Sequence, residues 1–206
     1  MHLAHDEVVP ILDFGSQTAQ LIARRVREAG VYAVLVAPTI SADELRVMNP
    51  RGIIFSGGPS SVEIEGAPTC DPAILDLRVP VLGICYGMQL ACKLLGATVS
   101  QAERREFGRA SLSRVGEPTL LASIPDPTTV WMSHGDHIGD LGQADLITVA
   151  KTANCAHAAV ETRPGAAGDR RFFGVQFHPE VTHTPHGIDL LRNFLFDICQ
   201  CRGSWT

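Results

Sequence analysis

The sequence predicts an α/β fold, a mostly parallel central sheet with helices on both faces, continued by an antiparallel extension. Three observations carry that prediction. As far as Gly96, short runs of branched apolar residues alternate with stretches of helical spacing, a pattern of strand-helix units whose strands run parallel. Beyond Gly96 strand-like runs follow one another across turns rich in Gly, Pro and Asp, as antiparallel strands do. At 206 residues, with 45% hydrophobic and 19% charged residues, the chain can bury one sizeable core, so residues 1–206 are expected to form a single domain.

In order, Val8 to Phe14 reads as a strand, and Gly15-Ser16 opens a helix carrying Leu21, Ile22, Val26 and Ala29 that Gly30 ends. Val31 to Val36 is the next strand. Ser41 with Glu44 forms a capping box for a short helix to about Met48. Gly52 to Phe55 is a third strand, and Asp71-Pro72 places an N-cap and an N1 proline before a helix to about Leu77. Val79 to Ile84 is a fourth strand, followed by a helix carrying Met88, Ala91, Leu94 and Leu95. The later strands are read at Arg109 to Val115, Thr129 to Met132, Leu146 to Ala150, Ala158 to Glu161 and Phe172 to Phe177. A last helix, about His186 to Cys199, carries Ile188, Leu191, Phe194, Leu195 and Ile198; the residues after Cys201 read as a frayed end.

Composition excludes several classes. A net charge of −5, with Lys93 and Lys151 the only lysines, gives no reason to expect a nucleic-acid or membrane surface. Six scattered cysteines make neither a disulfide framework nor a C-x-x-C metal pair. The first residues, MHLAHDEVV, lack the basic region of a signal peptide, and no apolar run approaches a membrane span. The expectation is a reduced, cytoplasmic setting and a partner that is small or another protein.

The chemistry concentrates at Gly83-Ile84-Cys85-Tyr86-Gly87. A cysteine between a buried strand and a helix, flanked by glycines, has the layout of a nucleophile elbow, written G-x-S-x-G when the nucleophile is serine. At a helix N-terminus the dipole favours thiolate over thiol. A lone G-x-C-x-G is also what a packed core thiol looks like, so a second group must decide. That group is in FGVQFHPE, residues 173–180, where an apolar alternation with one buried face ends at a proline. His178 and Glu180 stand two apart and can face the same way, the carboxylate holding the imidazole and the imidazole serving the thiol.

Three loops carry further candidates. In Ser56-Gly57-Gly58-Pro59-Ser60-Ser61 the glycines allow a backbone N–H to approach a ligand, as an oxyanion donor or as a plain turn. In Trp131-Met132-Ser133-His134-Gly135-Asp136-His137 clustered polar groups could hold the charged ends of an amino acid; a metal site of His134, Asp136 and His137 has nothing else in its favour. Glu103 to Arg109 is a mixed-charge run of the kind that is usually a solvated face, but its three arginines beside an aromatic could instead dock a partner.

The combination of SGGPSS, GICYGMQ and GVQFHPEVTHT resembles the class I glutamine amidotransferases, over nearly the whole chain from Ile11 to about Thr206. WMSHGDH, REFG and DICQC resemble the GMP synthase branch of that family in particular. The resemblance implies the family's flavodoxin-like α/β fold and a glutaminase that releases ammonia from L-glutamine. Cys85 would be the nucleophile, His178 the base and then the acid, and Glu180 the group that orients His178. Gly58 and Tyr86 would supply the oxyanion N–H groups. Gly57, Gln89, Ser133, His134, Gly135 and Asp136 would contact the substrate.

No metal or cofactor is implied for this chain. ATP, magnesium and XMP would belong to an ATP pyrophosphatase (synthetase) domain or subunit that the chain lacks, since Ser60 stands where that domain's S-G-G-x-D-S loop has Asp. Ammonia made here would serve that partner in GMP and purine biosynthesis, with turnover slow until the partner closes the site. The alternatives are the glutaminase of another class I amidotransferase, a cysteine peptidase or hydrolase with the same triad, and a non-catalytic module on the same fold.

Overall fold

The computed structural model describes residues 7–59 and 61–206, so Ser60 and the N-terminal residues read above against a signal peptide lie outside the described part. The first half is built as the alternation requires: β1 (Val8–Leu12), α1 (Ala19–Glu28), β2 (Tyr32–Val36), α2 (Ala42–Met48), β3 (Ile53–Phe55), β4 (Val81–Ile84) and α3 (Tyr86–Leu94). The second half holds β5 (Thr98–Arg114), β6 (Thr128–Asp140), β7 (Leu146–Lys151), β8 (Ala159–Thr162), β9 (Phe172–Val175) and α4 (Gly187–Arg192). These strands form one sheet of order β2-β1-β3-β4-β9-β8-β7-β5-β6.

The sheet is evenly mixed. The pairings β1·β2, β1·β3, β3·β4 and β4·β9 are parallel, and β8·β9, β7·β8, β5·β7 and β5·β6 are antiparallel. The expected extension is therefore as large as the parallel part. Its size was hidden because β5 begins at Thr98, not Arg109, and β6 runs on to Asp140. These long ends form an arm whose side chains are largely polar, with little of the apolar alternation that marks a strand. Within it the ladder jumps from Gln101↔Asp136 to Glu106↔His134, so part of the mixed-charge run bulges out before Glu106 resumes the pairing.

Side-chain alternation divides the core between two faces. Ile11, Ile54 and Leu82 meet Ile22 and Val26 of α1 and Leu190, Leu191 and Phe194 of the C-terminal helix on one face. Leu12, Phe55 and Val81 meet Leu45 of α2 and Met88 and Ala91 of α3 on the other. No described helix is long and apolar enough to cross a membrane.

Four boundaries differ from the sequence reading for identifiable reasons. α1 starts at Ala19 rather than Gly15-Ser16 because the Asp13 carboxylate takes the Gly15 and Ser16 N–H groups at 2.9 and 3.2 Å, holding them in a turn. The helix expected after Asp71 is a short 3₁₀ segment, Pro72–Asp76; the Asp71 carboxylate accepts from Ala73 N at 3.0 Å and from Ala42 N at 2.9 Å, tying it to α2. The C-terminal helix widens to π geometry over Asn193–Ile198. The chain end is docked, not frayed: Trp205 N donates to Gly30 O at 2.8 Å, its ring lies 6.0 Å from that of Tyr32, and Arg202 N donates to buried Glu7 at 2.9 Å. The capping box of α2 forms as read.

Candidate active site

Cys85 joins β4 to α3 with φ 51° and ψ −107°, a conformation that costs an L-residue on the order of 1–3 kcal/mol and persists only when its surroundings fix it. They do so by backbone bonds on both sides. Cys85 N donates to Val175 O of β9 at 2.8 Å, and Gly87 N donates to Ser56 O at 3.0 Å. The flanking glycines are required by contact: a Cβ at Gly83 would lie 2.7 Å from Met88 N, and one at Gly87 only 2.4 Å from Phe55 O. The elbow read from the sequence is therefore present, with the thiol held at the N-terminus of α3.

β9 lies between β4 and β8, so Phe173, Val175, Gln176 and Phe177 are all buried; the one-faced burial expected of this strand gives way to burial on both faces. The chain then turns, and His178 Nδ1 meets Glu180 Oε1 at 2.8 Å. Main-chain bonds fix this turn, with His178 N donating to Trp131 O at 3.0 Å and Thr184 Oγ1 to His178 O at 2.7 Å. Arg25 Nε of α1 donates to Glu180 O at 3.2 Å. Burial by itself would push the His178 imidazolium down, but hydrogen bonding to Cys85 and Glu180, with the Glu180 charge, outweighs it and raises the group to about 10. Glu180 is 1% exposed, so its charge acts where water screens it little.

Gly57 abuts this pair. A Cβ there would lie 3.4 Å from His178 Cε1 and 3.9 Å from Cys85 Cβ, so only glycine leaves the space between loop and triad free. On its open side Cys85 faces a cleft of about 310 Å³, lined also by Gly58, Tyr86, Gln89, Ser133, His134, Gly135 and Asp136. Of the expected oxyanion and substrate residues only Gly57 is off the cleft wall. The stretch 133–136 is not a loop; it lies within β6. A larger hollow of about 520 Å³ opens at Thr119, Glu161 and Arg163, where the Glu161 carboxylate already accepts from Thr119 N and Leu120 N, and no cysteine, serine or histidine is among the described residues on its wall.

The family model for "Glutamine amidotransferase class-I" matches residues 10–198. The chain belongs to the class I glutamine amidotransferases. Among curated proteins it is similar to the GMP synthase [glutamine-hydrolyzing] of Heliobacterium modesticaldum, 52% identical over 200 residues, and to that of Bacillus licheniformis, 47% identical over 201 residues. The chain is covered to 97% and 98% in these matches but spans only 38% of the length of either relative. Among solved structures it resembles a candidate GMP synthase subunit from Thermoplasma acidophilum, with TM-score 0.83, 31% identity and 95% of both chains covered. A glutamine amidotransferase from Thermotoga maritima shares the fold, with TM-score 0.71, 20% identity and coverage of 95% of this chain and 99% of that one.

In and around the cleft stand groups that the sequence reading did not single out. Gln176 is fully buried, its Nε2 3.6 Å from Cys85 Sγ and its Oε1 accepting from Gln89 Nε2 at 3.1 Å. Its signal was a polar residue inside an apolar strand. Phe107 lines the cleft while 67% exposed, and Thr184 accepts from Trp131 N at 3.0 Å. The side chains of Gln89 and His134, expected to meet substrate, are engaged internally: Gln89 Nε2 donates to Asp136 O at 2.9 Å, and His134 pairs with Asp136 O and Glu106. Among the described residues, the potential metal-ligating atoms that gather within 4.8 Å are those of Glu106, His134 and Cys155, not the trio weighed from the sequence.

Proposed function

We propose that the chain hydrolyses L-glutamine to glutamate and ammonia through a thioester on Cys85, and that the ammonia serves a synthetase that aminates XMP to GMP. One observation carries the reading: a strained cysteine, beside a His178 imidazole held by Glu180 at 2.8 Å, opens onto a cleft of about 310 Å³. The Cys85 thiolate adds to the side-chain amide carbon, and the carbonyl electron pair moves to oxygen, where the N–H groups of Gly58 and Tyr86 receive it. The His178 imidazolium gives its proton to the amide nitrogen, the C–N bond breaks, and ammonia leaves a thioester behind. Neutral His178 then takes a proton from water, the hydroxide adds to the thioester carbon, and collapse releases glutamate and the thiolate. Glu180 keeps its charge throughout and orients the imidazole by its 2.8 Å contact. Gly57, Gln89 and the 133–136 segment would position the substrate's α-amino and α-carboxylate groups.

The share of the curated GMP synthases that this chain spans supports a partner in the form of an ATP pyrophosphatase domain or subunit, and ATP and magnesium would be used there. A cytoplasmic location fits six free cysteines. The test is modification by an electrophilic glutamine analogue, followed by mapping of the labelled cysteine. Burial pushes the thiols of Cys70, Cys155 and Cys201 up to about 12, 12 and 11, and those of Cys92 and Cys199 higher still, so these five are poor nucleophiles near neutral pH. Labelling of Cys85 alone, blocked by excess glutamine, is the expected result. Equal labelling of all six, or no protection by glutamine, would overturn the assignment.

A further inference from the structure

Glu106 takes no part in the steps above, yet it is a buried carboxylate between exposed Arg105 and Phe107 on β5. Its Oε1 accepts from Thr152 Oγ1 at 3.1 Å and from Asn154 Nδ2 at 3.3 Å, and its Oε2 lies 3.3 Å from His134 Nε2. The other ring nitrogen, His134 Nδ1, lies 2.9 Å from Asp136 O. A carbonyl only accepts, so Nδ1 carries a proton and Nε2 faces the carboxylate; burial lowers the pKa of the ring, and the hydrogen bonds to Asp136 O and Glu106 oppose that shift. The imidazole is thus clamped at both ends, and with 2% of its side chain exposed, water cannot replace either partner cheaply.

The clamp reaches the nucleophile. Ser133 O, one residue before His134, lies 3.7 Å from Cys85 Sγ, and Asp136 O takes the Gln89 amide at 2.9 Å. If Glu106 is lost, Nε2 is stranded in the interior, the ring must turn to find a partner, and Asp136 O loses its imidazole donor. The segment 133–136 then shifts against Cys85 and Gln89.

We propose that Glu106 is a positioning residue for the Cys85 chemistry, acting through His134 on the carbonyls of Ser133 and Asp136. In treating that chemistry as glutamine hydrolysis the proposal rests on the function proposed above. The test compares the unaltered chain with Glu106→Ala and Glu106→Gln, reading kcat and KM for glutamine and the rate at which iodoacetamide alkylates Cys85. Glu106→Ala should lower both kcat and the alkylation rate about tenfold or more, the scale expected when a reacting group is displaced by a fraction of an ångström. Glu106→Gln, whose amide can donate to His134 Nε2, should stay within about threefold of the unaltered chain. Ala rates within twofold of the unaltered chain, or a Gln variant as impaired as Ala, would overturn the proposal. Should the Ala variant fail to fold, the ¹⁵N shifts of His134 in the unaltered chain decide: a bare Nδ1 overturns the clamp. If the unaltered chain does not hydrolyse glutamine, the glutaminase reading fails, and the alkylation rates still judge Glu106.

Discussion

Replacing Glu180 by Gln removes a charge while keeping an acceptor for His178 Nδ1. With the contact at 2.8 Å the charge centres lie about 4 Å apart, and at an effective dielectric constant of about 20 their attraction is about 4 kcal/mol. At about 1.4 kcal/mol for each pKa unit, that charge accounts for about three units of the imidazolium's stability. The His178 titration should therefore fall below about 10 in the variant, the hydrogen bond to Cys85 keeping the rest of the rise. The sign follows from the charge: a carboxylate favours the protonated ring, so without it the proton leaves at lower pH. NMR titration of the His178 ring reads this directly. Glutamine hydrolysis at pH 8 gives the consequence, a loss of about a hundredfold or more, because the acid that protonates the departing nitrogen is depleted and the ring has lost its counter-charge. A midpoint that moves by less than about one unit would refute the reasoning and leave Glu180 as a packing group.

Cys85→Ala and Cys85→Gly should both abolish hydrolysis, but Gly should unfold at the higher denaturant concentration, by about 1 kcal/mol, because only Ala must bear φ 51°; equal midpoints would mean that the elbow is unstrained. Gly57→Ala should fold normally yet slow turnover, since its methyl group enters the space 3.4 Å from His178 Cε1, whereas Gly87→Ala, driven to 2.4 Å from Phe55 O, should lose about 3 kcal/mol of stability in chemical denaturation. The reverse pattern would misplace the loop relative to the triad.

The grouping of Cys85, His178 and Glu180 was legible because each member sits where local rules are strict. A cysteine between glycines at a strand end has few conformations, and a histidine and a carboxylate two residues apart are close enough in sequence to meet, although Trp131, Thr184 and Arg25 anchor the turn that holds them. Gln89, Gly58 and Asp136 could be placed near the site by motif, but not their hydrogen-bond partners, because Gln89 reaches across to Asp136 and Gln176, 47 and 87 residues away. Glu106 was illegible for a similar reason. In a run of charged residues nothing local marks a carboxylate that turns inward, and the partners of Glu106, His134, Thr152 and Asn154, come from other parts of the chain. The same blindness shortened β5 and β6: an arm that pairs mainly with itself needs no apolar face along its length, so its sequence carries no alternation to read.

The cleft therefore joins two kinds of structure. Cys85 is tied to β9, the strand where the parallel half of the sheet ends, through its bond to Val175, and its strain is supported by a central, doubly covered strand. The facing wall belongs to the arm, which joins the sheet through the β5·β7 register pairs Ser113↔Lys151 and Arg114↔Ala150 and packs Val130 and Met132 of β6 into one core and Ile138 into the other. Outside that ladder, the Trp131 carbonyl that takes the His178 N–H, the Thr184 hydroxyl that takes the Trp131 N–H, and the Glu106 carboxylate hold the arm against the site. Polar bonds of this kind are worth about 1 kcal/mol each, far less than the packing that fixes β4 and α3. The nucleophile and the wall that faces it therefore sit on different parts of the fold, and a shift of the 133–136 segment is felt at Cys85 Sγ, 3.7 Å from Ser133 O.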